Sequence, residues 1–368
     1  MHADSLNFRM VRLAREKLEL TQTVTARRSG ISQARLSRLE SGQQVILAPQ
    51  EIDQLAETLK VPRGFLEQPA MPAAAPLFRK RAIRSARRVA GIQARLNFAV
   101  LIAQRLLDAG VDLDAPQRFP EPGDFAADEP ENAAAVLRRD WRLPTGPVDD
   151  LTEVIESAAG LVLNVDFGTS DAIAAFIATR NDGRLWFLVN TRETAGDRIR
   201  LSLAHELGHA VLHRLLPGVD EAEVESQAFR FAAALLLPPD TFDRAVPYDA
   251  LTLGHARELK RVYGVSLQAI IRAAHDRQRI SRSRYTSLYK QLSARQWRMH
   301  EPDPIPVELP QLWPDVLDVH RAEHGYSDTD LAAFAHVSPE ILNELFPTMF
   351  RPPGPRLRSV TSVQRLAS

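Results

Sequence analysis

The chain has 368 residues, of which 45% are hydrophobic, with 46 Lys+Arg against 46 Asp+Glu and no cysteine. That length holds two or three domains and a substantial core, and the missing thiols exclude disulfides and thiolate metal sites. No apolar run approaches ~18–20 residues and the amino terminus lacks the apolar stretch of a secretory signal, so a cytoplasmic protein is expected. The zero net charge hides a split. Residues 1–105 carry 18 Lys+Arg against 8 Asp+Glu, whereas residues 112–150 carry 4 against 10. A basic amino-terminal third points to nucleic acid as a partner, or to a solvated basic surface.

Residues 9–68 read as five short helices, at 10–18, 22–28, 33–40, 50–59 and 63–66. Thr21 is placed to cap the second and Ser32 the third. Ser29-Gly30-Ile31 forms a turn between them, with glycine where a positive φ is needed. Two short helices across a tight glycine turn make a helix-turn-helix, whose second helix enters the major groove. Its exposed Gln33, Arg35 and Arg38 suit base edges or phosphates, because Gln and Arg can each make two hydrogen bonds to one base. This stretch resembles the XRE (Cro/cI-type) DNA-binding family in its LTQ, GIS, LSRLESG and LAETLKVP segments. The resemblance implies Gln22, Ser32, Gln33 and Arg38 near an operator. Thr25 departs from it, standing where that pattern has Leu. A helical module that docks another protein is the competing reading.

The stretch 71–76 reads as linker by composition. A long amphipathic helix follows over 85–109, basic first (Arg84, Arg87, Arg88) and apolar later (Leu96, Val100, Leu101, Leu106, Leu107). The acidic, Pro-rich piece 112–130 reads as loop, and 132–141 and 151–159 as helices. Then the period changes. Residues 161–165, 174–179 and 185–189 are short strand-formers, with Asn181-Asp182-Gly183 as a hairpin turn between the last two. They predict a small antiparallel sheet in a mainly α chain, an α+β fold. Its edge strand has two readings, a template for an extended peptide or plain structural support.

The helix predicted over 198–216 carries His205-Glu206-Leu207-Gly208-His209, an H-E-x-x-H motif. Residues four apart share a helix face, so His205 and His209 can offer two imidazoles to one metal ion, with Glu206 close by as a base. Gly208 costs helix stability and predicts close approach of a neighbouring backbone. A buried helix with two ordinary histidines is the plainer reading. A third ligand is needed, and the next helix, 221–237, offers one. Glu225, Ala228, Ala232 and Leu236 share a face, and the two alanines allow tight packing that brings Glu225 to the metal. Glu221 and Glu223 are rivals, and a solvated acidic face is the alternative.

LSLAHELGHAVLH followed by ESQAFRFAAALLLP is similar to the ImmA/IrrE family of zinc metallopeptidases. The resemblance implies a central zincin-like domain, His205, His209 and Glu225 as metal ligands and Glu206 as general base. Phe229 departs from it, standing where the family has Asn. His213 matches a family histidine one turn past His209 and is expected to support the site rather than bind as a fourth ligand. Two His and a carboxylate bind Zn²⁺ well and also accept Mn²⁺ or Fe²⁺.

Beyond Pro239 the chain reads as helical at 253–263, 267–275 and 281–295, Pro-rich and irregular at 301–314, then helical again at 327–335 and 339–345. Asp328, Asp330, Glu340 and Glu344 argue against that last pair being a DNA face. YGVSLQAIIRA and the basic helices after it resemble the carboxy-terminal part of longer ImmA/IrrE proteins that carry an XRE domain. The expected organisation is a helix-turn-helix domain over 1–70, a linker over 71–84, the metallopeptidase domain over 85–245, a helical domain over 246–350 and a flexible tail over 351–368. The resemblance implies a DNA-binding regulator that cleaves an XRE-type repressor or antitoxin. The alternative is a regulator whose metallopeptidase-like domain senses or dimerises without proteolysis. Dimerisation is expected of a helix-turn-helix reading two half-sites, and association with the nucleoid follows from operator binding.

Overall fold

The computed structural model describes residues 6–69, 85–109, 111–112, 117–121, 124–125, 129–170, 173–178, 183–213, 221–346 and 358–359. The expected linker, Asn181 and Asp182 of the hairpin turn, and the end of the H-E-x-x-H helix beyond His213 lie outside these residues.

The amino-terminal bundle comprises α1 (Phe8–Lys17), α2 (Gln22–Ser29), α3 (Gln33–Glu40), α4 (Pro49–Leu59) and α5 (Arg63–Leu66). Its caps form where the sequence places them. The Thr21 hydroxyl accepts from the Val24 amide, that of Ser32 accepts from the Arg35 amide, and Gly30 ends α2 at φ +69°. Leu36, Leu39, Leu55, Leu59 and Phe65 fill the centre. Thr25, the departure from the family pattern, is fully buried there, and its hydroxyl has no hydrogen-bond partner among the described residues.

This bundle is docked. Helix α6 (Ala86–Asp108) lies along α1 and shares one apolar core with it. Lys17 sits 3.7 Å over the Phe98 ring, and burial lowers its ammonium to about 8. Arg87 donates to the Glu19 carbonyl, tying the basic start of α6 to the bundle.

Strand β1 (Val111–Asp112) pairs antiparallel with a two-residue strand, Arg358–Ser359, in the region read as tail. Helices α7 (Pro130–Asp140) and α8 (Leu151–Ser157) precede β2 (Leu161–Val165), β3 (Ala174–Ala178) and β4 (Leu185–Asn190). The sheet order is β2-β4-β3. β3 and β4 pair antiparallel, as their spacing predicts, but β2 pairs parallel to β4, so the sheet is mixed rather than wholly antiparallel. The cause is burial on both faces. Leu161, Leu163, Trp186 and Leu188 face the α6 core, while Val162, Phe176, Phe187 and Val189 face a second core. Strands covered on both sides read as near-continuous apolar runs, and a parallel neighbour is at home in that setting.

The second core holds α9 (Gly196–Leu212), α10 (Glu221–Leu236), α11 (Pro239–Ala245), α12 (Leu253–Tyr263), α13 (Leu267–Asp276) and the Leu288–Leu292 face of α14 (Arg282–Ala294). The segment 301–311 crosses the start of α9. Glu301 accepts from the Leu267 amide and from buried Lys260, which also pairs with Asp197. Glu308 binds Arg200 and accepts from the Leu151 and Thr152 amides. The Gly196 amide donates to the Ile305 carbonyl at 3.2 Å, and a Cβ at Gly196 would collide with that backbone. Helix α15 (Leu312–Ala322) starts inside the stretch read as irregular. Its first amides donate to Glu156, whose carboxyl burial pushes up to about 8. Helices α16 (Asp328–Phe334) and α17 (Pro339–Leu345) close on α6, where Arg105 donates to the Ala335 carbonyl at 2.8 Å.

Candidate metal centre

Helices α9 and α10 pack closely at Gly208. A Cβ on Gly208 would stand 3.1 Å from both the Cα and the carbonyl oxygen of Ala228. The glycine is therefore the point at which the two backbones meet, and Ala228 and Ala232 line the contact, both fully buried. That approach turns the Glu225 stripe of α10 onto the histidine stripe of α9.

Three side chains converge there. His205 Nε2 and His209 Nε2 are 3.1 Å apart, His209 Nε2 is 3.4 Å from Glu225 Oε1, and His205 Nε2 is 3.6 Å from Glu225 Oε2. Nitrogen and oxygen donors at ~2.0–2.1 Å from a tetrahedral Zn²⁺ stand roughly 3.3 Å apart. The three spacings bracket that value, so the donor set fits such an ion. Among the described residues this is the one group of three or more His or acidic side chains with metal-binding geometry. Glu223, one of the rivals, is engaged elsewhere, accepting from Gln227 at 2.9 Å.

Beside the cluster, Glu206 is buried, and its Oε2 has no hydrogen-bond partner among the described residues. Burial, and then the negative charge of Glu225, push its carboxyl well above the ordinary range. A buried carboxylate oxygen without a partner is costly unless something with a proton or a positive charge comes to it. A water or substrate amide at the cluster would meet that need.

The outer side of the cluster is fixed by a chain that the spacing rules did not reveal in full. His209 Nδ1 lies 3.2 Å from His213 Nδ1, His213 Nε2 lies 2.9 Å from Gln227 Oε1, and Gln227 Nε2 donates to Glu223. A carboxylate only accepts, so the Gln227 amide must turn its nitrogen to Glu223 and its oxygen to His213. His213 then carries its proton on Nε2 and accepts at Nδ1 from His209. This leaves the His209 Nε2 lone pair facing the cluster, as metal binding requires. Burial lowers the His213 pKa and keeps the ring neutral, which suits that role. Phe229 packs its ring 4.1 Å from the His205 ring, so an aromatic face lies against that histidine.

On the recognition helix the expected DNA-facing residues divide. Ser32 caps α3 and is exposed, as are Gln33 and Arg38. Gln22 donates to Glu40 and accepts from Gln33. Arg35 is held by Glu51 at 2.5 and 3.0 Å and by the Ile46 carbonyl at 2.6 Å.

Residues 177–275 match the family model of the IrrE N-terminal-like domain of the M78 peptidases, and residues 11–66 match the helix-turn-helix family model. No match to a curated protein accompanies them. No described helix is long and apolar enough to cross a membrane. The peptidase match begins in β3 and ends in α13, so it takes in the whole cluster and the helices packed behind α10. The chain thus carries an XRE-type helix-turn-helix DNA-binding domain followed by an IrrE N-terminal-like, metallopeptidase-type domain, the make-up of a regulator with a protease-like domain.

Proposed function

We propose that the chain is a cytoplasmic, operator-binding metallo-endopeptidase that controls transcription by cleaving a protein, an XRE-type repressor or antitoxin being the favoured class. The observation that carries the reading is the convergence of His205, His209 and Glu225 beside a buried carboxyl, Glu206. Those three residues would hold Zn²⁺, and the same donor set accepts Mn²⁺ or Fe²⁺. The ion supplies Lewis acidity to a peptide carbonyl and lowers the pKa of water. Glu206 takes a proton from the attacking water as its oxygen adds to the carbonyl carbon. It then delivers that proton to the leaving nitrogen as the C–N bond breaks. His213 and Gln227 keep His209 in the right tautomer throughout. β3 stands at one edge of the described sheet, and that edge would offer backbone groups to an extended substrate. Ser32, Gln33 and Arg38, with Gln22 and Arg35 at the margin, would meet DNA, and two copies would read two half-sites.

The test is direct. Zinc-loaded protein is incubated with purified XRE-type repressors, alongside Glu206→Gln. Cleavage that falls about 10²–10⁴-fold in the variant, with metal content unchanged, is the expected result. A second reading, regulation without proteolysis, draws support from the packing. The helix-turn-helix bundle, α6 and one face of the sheet share a core, and the other face of the same sheet packs against the core that carries the cluster. If Glu206→Gln leaves regulation in cells intact, that second reading replaces the first.

A further inference from the structure

Helix α6 starts against the turn that leads into the helix-turn-helix. A Cβ on Gly91 would stand 2.7 Å from Glu19 Cγ and 3.4 Å from the Glu16 carbonyl oxygen, so glycine lets α6 close on the turn between α1 and α2. One helical turn earlier, Arg87 donates to the Glu19 carbonyl. Shortly after Glu19 come Thr21, the cap of α2, and Gln22. The start of α6 therefore lies beside the amino-terminal end of α2, the helix that crosses the DNA backbone in a helix-turn-helix. A helix start is also the end that suits a phosphate.

The charge at the start of α6 has one sign. Residues 68–107 hold eight Lys+Arg and no Asp or Glu. Glu16 and Glu19, the carboxylates at this end of α1, have arginines of their own, Arg12 at 2.8 Å and Arg95 at 4.0 Å. Arg87 and Arg88 are both exposed, and they add positive charge at a helix end whose dipole is positive as well. Ser85 caps that end, its hydroxyl accepting from the Arg88 amide. The basic face is thus continuous with the end of α2 that meets DNA.

We propose that Arg87 and Arg88 bind the phosphates that flank the sequence read by α3, so that the DNA interface runs past the helix-turn-helix onto α6. The inference rests on the DNA-binding reading of residues 11–66 and adds a contact outside them. Phosphate contacts fix register and orientation rather than sequence. Here they also orient the rest of the chain on the duplex, because α6 goes on into the core that it shares with the sheet.

Two duplexes test it. A site is first enriched from random-sequence DNA with the full-length wild type. One duplex carries that site alone, and the other adds about one helical turn, ~10 bp, on each side. Binding is followed by fluorescence anisotropy over a range of salt. On the longer duplex, Arg87→Gln and Arg88→Gln should each lose about fivefold in affinity near physiological salt and lower the salt slope by about one. On the shorter duplex both should bind as the wild type does. Arg88→Lys, which keeps the charge, should recover most of the loss. Arg38→Ala should weaken binding to both duplexes alike. Arg87→Gln also removes the bond to Glu19, so Arg88→Gln decides the matter if Arg87→Gln does not fold. If Arg88→Gln binds the longer duplex like the wild type, or loses equally on both, α6 does not hold flanking phosphates and the proposal is wrong, while the effect of Arg38→Ala keeps the helix-turn-helix reading. If the folded wild type enriches no site, the helix-turn-helix reading fails and the proposal falls with it.

Discussion

The metal cluster and the recognition helix carry the two sharpest motifs of the chain, and they differ in what holds their side chains. At the cluster, His205, His209 and Glu206 are buried, and each neighbour of His209 is a protein atom at hydrogen-bonding or ligand-like distance. On α3, Gln33 and Arg38 are exposed, Gln33 donating to Gln22, while Arg35, one turn before Arg38, is folded back on Glu51 and the Ile46 carbonyl. A buried polar group must find its partner inside the molecule, so packing leaves it little choice. A surface group has water as an alternative, and its orientation follows from whichever carboxylate lies in reach. Spacing alone therefore specifies the cluster better than it specifies the DNA face.

The comparison can be broken most forcefully at His213. If the His209–His213–Gln227 chain fixes the ligand, His213→Ala should weaken zinc affinity by about 10–100-fold, as loss of a supporting hydrogen bond typically does. His213→Gln, placing an amide at the same distance, should recover part of the loss. Competition against a chelator reads both. Unchanged affinity in His213→Ala would mean that the histidine only fills space.

Gly208→Ala probes the packing instead. An alanine gains up to about 1 kcal/mol in helix propensity, but overpacking against the Ala228 backbone costs about 1–3 kcal/mol. The net expectation is a loss of up to about 2 kcal/mol in urea unfolding, together with weaker zinc binding as Glu225 is pushed off the histidine pair. A stabilised protein with intact zinc affinity would show that the two backbones need not meet at Gly208.

The smallest effects belong to α3. Arg38→Ala should weaken operator binding and lower its salt slope by about one, as for the loss of one phosphate contact. Arg35→Ala should act first on the fold, and only slightly, because its ion pair with Glu51 lies at the surface. If Arg35→Ala harms DNA binding as much as Arg38→Ala does, the arginine leaves Glu51 when the operator arrives, and the division seen on α3 disappears in the complex.

Much of this was legible from the sequence because the signals are local. The helical period around His205 and His209, the glycine between them and the small-residue face of 225–236 each have a cause within a few residues, and they meet at the Gly208–Ala228 contact. Thr21, Gly30 and Ser32 mark their turn in the same way. The segment 301–311 was not legible. It is Pro-rich and aperiodic, and its course depends on Glu301 and Glu308 reaching the amides of α13 and α8 far away in the chain. The parallel pairing of β2 was hidden for a similar reason, since a strand buried on both faces carries no alternation to show its partner's direction. Phe229 was visible as a departure, but its packing on the His205 ring depends on the close contact of α9 with α10.

The central claim is that His205, His209 and Glu225 form one metal site. It is tested most directly by the zinc content of the purified protein beside His209→Ala and Glu225→Ala, each checked for folding. The account predicts about one zinc per wild-type chain and none in either variant, since removing one of three protein ligands dismantles the site. Zinc retained in a folded Glu225→Ala protein but lost in His209→Ala would contradict Glu225 as the third ligand. A folded wild type that binds no zinc would contradict the site itself.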